Sequence, residues 1–250
     1  MSARAAVLVI AGTDSSGGAG LARDVRALAD SGVEALCAVT AITAQTDAHL
    51  LASHPLPPGI VSAQIRAALD SGRIGAVKIG MLATGAIVRA VAETLAHASS
   101  LPIVLDPVLL SSSGGMLLDE EGRRELAARL FPLVTLLTPN IPEAESLCGT
   151  ADTGSAESRL ALARELHAQG PRAVLVKGGH SSGEESADLL LDADGHARWL
   201  SGPRIAGRHR GTGCALASAI AGGIARGLPL HEACRLGRDY VRRMLSGSAA

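Results

Sequence analysis

Short apolar segments alternate along this chain with longer segments in which apolar residues recur at helical spacing. The short segments are rich in Val, Leu and Ile and have no polar face, which is typical of strands buried on both sides of a parallel sheet. They cover residues 5–11, 35–42, 76–79, 103–105, 134–137 and 173–176. The helical segments between them cover residues 20–30, 59–71, 84–98, 120–130 and 156–169. The alternation predicts an α/β fold with three layers, in which a mostly parallel central sheet has helices on both faces.

The C-terminal part of the chain follows a different pattern. Residues 186–191 and 198–201 flank a turn-forming segment and predict an antiparallel pair of strands. Two helices follow, at about 213–226 and 230–245. In the Gly-Leu-Pro segment between them, the glycine favours the end of the first helix and the proline favours the start of the second. The chain therefore ends in a helical pair after its last strands.

The composition indicates an aliphatic core. Apolar residues make up 47% of the 250 residues, but only Phe131, Trp199 and Tyr240 are aromatic. The net charge of −1 does not suggest binding to nucleic acid or to an anionic membrane. The four cysteines lack metal-ligand spacing, which favours a reducing compartment, and the first apolar run is too short to span a membrane. We expect a cytoplasmic protein with one domain over residues 1–250 and a frayed tail at 246–250.

Polar and glycine-rich segments follow six of the predicted strands, where ligands bind in open parallel sheets. These segments cover residues 12–20, 43–45, 80–81, 106–107, 138–140 and 177–180. The first of them fits neither a dinucleotide fingerprint nor a Walker-type phosphate loop, so a loop that substrate approaches closely is favoured. His180 is the only histidine among these segments, and we assign it no catalytic role. Six such turns at one edge of a sheet predict a single extended site.

The segment Gly211-Thr212-Gly213-Cys214 comes directly before a helical pattern that is apolar on nearly every side. A helix N-terminus offers N–H groups without helical partners and the positive end of a dipole, so this turn predicts an anion site. The same dipole favours a cysteine thiolate, which makes Cys214 a candidate base for phosphoryl transfer. The alternative is a glycine turn before a buried helix, with Cys214 as a small core residue.

Several other strand-end side chains are candidates for phosphate, metal or substrate binding. Asp106 and Glu143 offer the oxygen ligands that Mg²⁺ prefers, although Asn140 and Glu143 also fit a helix capping box, and the two roles are compatible. Lys177 could bind a phosphate, or it could simply extend from the sheet edge. Gln45 carries an amide donor and acceptor that could bind an aminopyrimidine edge, or it could cap local backbone.

Taken in order, these segments resemble the hydroxymethylpyrimidine/phosphomethylpyrimidine kinase family of the ribokinase-like superfamily. Seven stretches between Ala11 and Tyr240 carry the resemblance: 12–20, 40–45, 76–81 (AVKIGM), 104–108 (VLDPV), 137–145 (LTPNIPEAE), 174–180 (VLVKGGH) and 211–214 (GTGC). The resemblance implies a ribokinase-like fold, a homodimer and an ATP- and Mg²⁺-dependent kinase of thiamine synthesis. Such a kinase phosphorylates 4-amino-5-hydroxymethyl-2-methylpyrimidine and then converts its monophosphate to the diphosphate.

The resemblance also implies residue roles. Cys214, where many superfamily relatives carry an aspartate base, would take the proton from the attacking oxygen. The backbone of the preceding turn would hold the transferring phosphoryl group as its charge develops. The implied set is Gly211, Thr212, Gly213 and Cys214 for catalysis; Gln45, Gly12, Ala19, Met81 and Val108 for the pyrimidine; Lys177 and Thr212 for ATP; and Asp106 and Glu143 for magnesium.

The chain departs from the family pattern near this site. Arg210 stands where the family usually has His, and residues 46–49 lack the Asn and Gly often found there. Leu21-Ala22-Arg23-Asp24 keeps only the acid of the usual Gln-Ala-Asp. Our hypothesis is that Arg210 adds a positive charge beside the anion site and favours an already phosphorylated acceptor.

Two other functions remain open at this point. A pyridoxal or pyridoxine kinase would share the fold and chemistry. A non-catalytic pyrimidine-binding regulatory protein would share the fold without turnover, although the intact candidate residues argue against it. A sugar kinase is less favoured, because sugar kinases of the superfamily generally carry aspartate in the place of Cys214.

Overall fold

Ten strands and eight helices form the described parts of the chain. The computed structural model describes residues 5–98, 100–111, 114–179, 184–205 and 210–247. The strands are β1 (Ala6–Ala11), β2 (Glu34–Val39), β3 (Ala41–Gln45), β4 (Leu50–Pro55), β5 (Ile74–Ile79), β6 (Ile103–Leu105), β7 (Leu136–Leu137), β8 (Val174–Val176), β9 (Glu185–Leu191) and β10 (Ala197–Pro203). The helices are α1 (Gly20–Asp30), α2 (Pro58–Leu69), α3 (Gly85–Ala96), α4 (Glu120–Glu125), α5 (Ile141–Cys148), α6 (Ala156–Ala168), α7 (Thr212–Ala225) and α8 (Leu230–Leu245).

Eight of the strands form the central sheet, in the order β10-β9-β8-β7-β6-β5-β1-β2. The strands from β8 to β2 are parallel, and β9 and β10 are antiparallel at one edge. Strands β3 and β4 form a separate antiparallel hairpin. The prediction of a three-layer α/β fold with a mostly parallel sheet is confirmed.

Alternate residues of the central strands point into two different hydrophobic cores. In β1, Leu8 and Ile10 belong to the core that also contains Val61 of α2 and Val91 of α3. Val7 and Val9 belong to the opposite core, which is shared with α1, α7 and α8. Because every residue of β1 is buried, the strand has no polar face, as its sequence predicts.

The hairpin β3–β4 corrects the prediction of one strand over residues 35–42. The chain turns at Thr40, whose hydroxyl donates to the carbonyl of Met81 at 2.6 Å and whose carbonyl accepts from the N–H of Leu56 at 2.8 Å. β3 therefore leaves the main sheet and pairs with β4. β4 was not predicted, because its sequence LLASHP is largely exposed and lacks a continuous apolar pattern.

Helix boundaries differ from the prediction in the middle of the chain. The segment predicted as one helix at 120–130 is α4 followed by a π-helical turn at Leu126–Leu130. α5 was recognised only by its capping signals and was not predicted as an element. Of the predicted tail, 246–250, the last three residues lie outside the described part, and one domain over 1–250 stays a prediction. Within the described residues, no helix is both long and apolar enough to span a membrane.

A buried ion pair connects the sheet to two helices. The ammonium of Lys78 in β5 lies 2.8 Å from both carboxylate oxygens of Asp24 in α1, and the hydroxyl of Ser218 in α7 donates to the same carboxylate at 2.7 Å. Both ionic side chains are fully buried. Burial opposes the charge of Lys78, but the attraction of Asp24 raises the pKa of Lys78 above its usual value.

We expect Lys78→Met to lower the free energy of unfolding by about 3–5 kcal/mol, because it leaves the Asp24 carboxylate buried without its cation. The double variant Lys78→Met/Asp24→Leu should recover most of this loss, since no uncompensated charge remains. Urea denaturation followed by circular dichroism measures both. Arg73→Met, which removes an exposed ion pair with Glu34, is the control and should cost less than about 1 kcal/mol. A Lys78→Met protein as stable as this control would contradict the assignment.

Candidate active site

The carboxyl ends of three parallel strands bring the predicted charged residues together. Asp106 follows β6 directly, and Lys177 follows β8 directly. Asn140, which lies between β7 and α5, forms a parallel bridge with Lys177, and the Lys177 N–H donates to the carbonyl of Pro139 at 2.8 Å. The neighbouring strands therefore fix the backbone positions of these residues, as expected for the ligand-binding edge of an open parallel sheet.

Lys177 lies between two carboxylates. Its ammonium is 2.7 Å from Oδ1 of Asp106 and 3.9 Å from Oε2 of Glu143. The Asp106 side chain is only 3% exposed, so this charge is almost entirely removed from water. Burial opposes the lysine charge, but the two carboxylates together raise the pKa of Lys177. The lysine is therefore charged at the edge of the sheet and not a solvated surface residue.

Glu143 has the structural role that the capping alternative predicted. Asn140 Oδ1 accepts from the N–H of Glu143 at 2.8 Å, and Glu143 Oε2 accepts from the N–H of Asn140 at 2.8 Å, which completes a capping box at the start of α5. Burial raises the pKa of Glu143 to about 7; Lys177 opposes this shift, and nearby Asp106 adds to it.

Asp106 and Glu143 fit a divalent cation in their chemistry. They supply hard carboxylate oxygens, and the ammonium of Lys177 shows that a cation is favourable between them. The capping box and a role toward magnesium are compatible.

The glycine turn at the start of α7 lies against the first glycine-rich loop at Gly211 and near Lys177 and Asp106 at Gly213. Gly211 has a φ of 72°, and a Cβ atom there would overlap the carbonyl oxygen of Gly18, so only glycine fits. A Cβ atom on Gly213 would lie 3.1 Å from Lys177 Nζ and 3.3 Å from Asp106 Oδ2. The backbone of Gly213 therefore lies close to the lysine and the carboxylate.

Cys214 lies in this first turn, but the expectation that its thiolate is favoured is wrong. Burial raises the pKa of the thiol to about 11, and Asp24 and Asp106 also raise it. The positive charge of Lys78 and a hydrogen bond from the backbone of Gly20 act in the opposite direction. A helix dipole contributes at most about 2 kcal/mol, which does not outweigh the loss of hydration.

Gln45 lies at the end of β3, and both ends of its side-chain amide have partners. Its Oε1 accepts from Arg210 at 2.8 Å, and its Nε2 donates to the hydroxyl of Thr43 at 2.7 Å. Arg210 also pairs with Asp14 Oδ2 at 3.0 Å. Arg210 is thus bound to the Gln45 amide and paired with the Asp14 carboxylate, and the hypothesis that it favours a phosphorylated acceptor stays a prediction.

The remaining predicted substrate residues lie near one another. A Cβ atom on Gly12 would lie 2.8 Å from Met81 Sδ, and Val108 packs against the small cluster that contains Met81. Ala19 precedes α1, and its Cα would lie 3.0 Å from a Cβ atom on Gly211. Gly12, Met81 and Val108 therefore form an apolar wall, and Ala19 lies next to the glycine turn. His180 lies outside the described residues.

Sequence reasoning missed two acids that support the site. Asp14 pairs with Arg210, and its only signal was its place in the first glycine-rich turn. Asp188 accepts from the N–H of Gly178 at 2.8 Å and pairs with Arg238 at 3.1 Å, which fixes the turn after β8. The signal for Asp188 was an acid within the apolar strand β9.

A mostly parallel sheet with helices on both faces, as found here, is the fold of the ribokinase-like kinases. A family model described as phosphomethylpyrimidine kinase matches residues 14–250. The chain belongs to the phosphomethylpyrimidine kinase family.

Similar proteins agree with this assignment. The chain is 38% identical over 244 residues to the hydroxymethylpyrimidine/phosphomethylpyrimidine kinase of Haemophilus influenzae, covering 96% of this chain and 90% of the relative. It is 40% identical over 239 residues to the thiamine biosynthesis bifunctional protein ThiED of Geobacter sulfurreducens. That match covers 95% of this chain but only 48% of the bifunctional protein, so the chain spans about half of that relative's length.

Solved structures share the fold over nearly the whole chain. The phosphomethylpyrimidine kinase of Clostridium difficile 630 superimposes with a TM-score of 0.85 at 34% identity, covering 97% of this chain and 100% of the other. The pyridoxal kinase of Staphylococcus aureus in complex with AMP-PCP and pyridoxal gives a TM-score of 0.87 at 28% identity, covering 97% and 88%.

Proposed function

We propose that this chain transfers the terminal phosphoryl group of ATP to the hydroxymethyl group of 4-amino-5-hydroxymethyl-2-methylpyrimidine, and then phosphorylates the monophosphate to the diphosphate for thiamine synthesis. The observation that carries the proposal is the meeting of Lys177 and Asp106 with the glycine turn of α7. The names of relatives at 38–42% identity support the choice of substrate.

The phosphate side of the site works by electrostatics. The transferred group carries spread negative charge in a loose transition state, so positioning and compensating charge supply most of the rate enhancement. In our proposal the N–H groups of Gly211, Thr212 and Gly213 hold that group, and Lys177 and Thr212 bind the ATP phosphates. Asp106 and Glu143 would hold magnesium, which neutralises phosphate charge when it is bound.

Cys214 is the proposed base for the acceptor hydroxyl. In the protein alone its pKa of about 11 keeps the thiol protonated at neutral pH. A loose transition state develops charge on the attacking oxygen late, so the demand on the base is modest. Lys78 stabilises the thiolate electrostatically from beneath the turn. To act as the base, Cys214 first loses its thiol proton to water, and the thiolate then takes the proton of the acceptor hydroxyl as the acceptor oxygen bonds to phosphorus.

The acceptor side of the site consists of the Gln45 amide and the apolar wall. In our proposal Gln45 binds the aminopyrimidine edge, and Gly12, Ala19, Met81 and Val108 surround the ring. The absence of a Cβ on Gly12 lets the Met81 thioether pack against the backbone there, and a thioether is a soft surface for a flat ring. The hydroxymethyl group would then face the turn of α7.

A pyridoxal kinase is the second candidate. The observation in its favour is the close fold similarity to pyridoxal kinases, with TM-scores of 0.86–0.88. Their sequence identity is lower, at 28–29%, than that of the pyrimidine kinases. A non-catalytic pyrimidine-binding protein is less favoured, because Lys177, Asp106 and Glu143 form a charged site that simple ring binding does not need.

A coupled assay for ADP release tests the substrate assignment. With saturating MgATP, the pyrimidine alcohol and its monophosphate should both be phosphorylated, each with a kcat/KM at least about tenfold above that of pyridoxal. One or two hydrogen bonds that the wrong ring cannot form are sufficient for a factor of this size. A clear preference for pyridoxal would establish the second candidate instead. Tight binding of the pyrimidine without ADP release would indicate the non-catalytic protein.

We also propose that the chain is a cytoplasmic homodimer. The four cysteines are free, which suits a reducing compartment. Ile42 and Leu51 on the β3–β4 hairpin are 53% and 68% exposed, and Leu110 and Met116 in the loop beside it are 56% and 68% exposed. Apolar side chains gathered in this way are typical of protein interfaces.

Sedimentation equilibrium tests the dimer. The wild-type chain should sediment at twice its mass of 25.3 kDa, and Leu51→Glu should shift it toward the monomer, because the charge would be buried in the interface. Glu157→Lys on the exposed start of α6 is the control and should leave the mass unchanged. A wild-type mass of 25.3 kDa would exclude the dimer.

A further inference from the structure

We infer that Arg210 determines which pyrimidines the acceptor site accepts, because it fixes the orientation of the Gln45 side-chain amide. The inference rests on the proposed function, in which Gln45 binds the ring of the acceptor. It concerns a residue at which this chain departs from the usual pattern of its family.

Two partners independently impose the same orientation on the amide. The hydroxyl of Thr43 donates its hydrogen to the carbonyl of Thr13 at 2.7 Å, so Thr43 Oγ1 can only accept from Gln45, and it meets Nε2 at 2.7 Å. A guanidinium has donors only, so Arg210 must meet Oε1, which it does at 2.8 Å. If the amide were flipped, its NH2 group would face the Arg210 guanidinium, and neither group could accept a hydrogen bond from the other.

Arg210 is itself held firmly. The same nitrogen that binds Gln45 also donates to Asp14 Oδ2 at 3.0 Å, and the other terminal nitrogen donates to Ser16 Oγ and to the carbonyl of Thr46, each at 2.8 Å. The Asp14 side chain is 1% exposed and the Arg210 side chain 17% exposed. A planar guanidinium with several fixed partners offers Gln45 a donor in one position.

The fixed amide leaves one donor and one acceptor for a ligand. Nε2 has a second N–H, and Oε1 has a second lone pair. A 4-aminopyrimidine presents a ring-nitrogen acceptor beside an amino donor, which matches this pair in one orientation. A 4-oxopyrimidine presents an N–H donor beside a carbonyl acceptor at the same positions, which would require the amide to flip. Arg210 therefore makes the site reject the 4-oxo ring.

The test compares two acceptors in the coupled ADP assay: the 4-amino alcohol and its 4-oxo analogue, 5-hydroxymethyl-2-methylpyrimidin-4-one. Wild-type protein should favour the amino compound by at least about 10³-fold in kcat/KM, because a mispaired buried polar group is strongly rejected. In Arg210→Met a flipped amide is mispaired only with Thr43 instead of with both partners, so the amino-to-oxo ratio should fall at least about tenfold. A purely structural role would lower both rates together and leave the ratio unchanged.

Two more variants provide a second test and a control. Thr43→Val removes the other constraint on the amide and should also lower the ratio, which gives a second test if Arg210→Met does not fold. Asp47→Asn is the matched control, because Asp47 contacts Arg210 at 3.4 Å but lies outside the contacts of the amide; its ratio should stay that of the wild type.

The outcomes separate the two claims. If wild-type protein phosphorylates neither pyrimidine, the proposed function is wrong. If it phosphorylates the amino compound but Arg210→Met and Thr43→Val keep the wild-type ratio, the proposed function stands and the role of Arg210 is overturned.

Discussion

The buried pair of Lys78 and Asp24 is the interaction on which the site depends. It joins the central sheet to α1, and through Ser218 it joins both to α7. A hypothetical Cβ atom on Gly80 would lie 2.8 Å from the Lys78 ammonium, so the strand leaves room for this charge where it ends. The start of α7 must hold its place to within a fraction of an ångström to act on a transferring group, and a buried, hydrogen-bonded ion pair resists displacement.

Charge balance explains the rest of the site. Lys177 lies between Asp106 and Glu143, and Arg210 pairs with Asp14, so the main cations of the acceptor and phosphate sides are each matched by carboxylates. Such a balance of charge keeps the protein stable without ligands. It also keeps in place the lysine and the carboxylates that would bind the ATP phosphates and a divalent cation. At Gly213 the glycine turn comes so close to Lys177 that a Cβ atom would lie 3.1 Å from the ammonium nitrogen.

Sequence patterns predicted the fold well where local periodicity and burial agree. The bounds of α1 and α8 were predicted to the residue, because both have a strongly one-sided apolar face. The hairpin β3–β4 could not be predicted in the same way, since β4 is exposed and the turn at Thr40 depends on a hydrogen bond to Met81, which is distant in sequence.

In the candidate site too, features that depend on strand position could be predicted, and features that depend on tertiary contacts could not. Strand-end position was sufficient to predict that Asp106 and Lys177 meet, because parallel strands end at one edge. The protonation of Cys214 and the partners of Arg210 depend on tertiary contacts with Lys78, Asp14 and Gln45 that no local pattern contains. The helix dipole alone therefore gave the wrong expectation for the thiol.

The most direct measurement of the central claim is phosphoryl transfer in a single turnover by wild-type protein, Cys214→Ala and Cys214→Asp, with MgATP binding measured separately. If Cys214 is the base, the alanine variant should transfer about 10²–10⁴-fold more slowly while binding nucleotide normally. The aspartate variant, which supplies a carboxylate base at the same position, should recover part of that loss. An alanine variant with a near-wild-type rate would contradict the account and leave only positioning to explain the site.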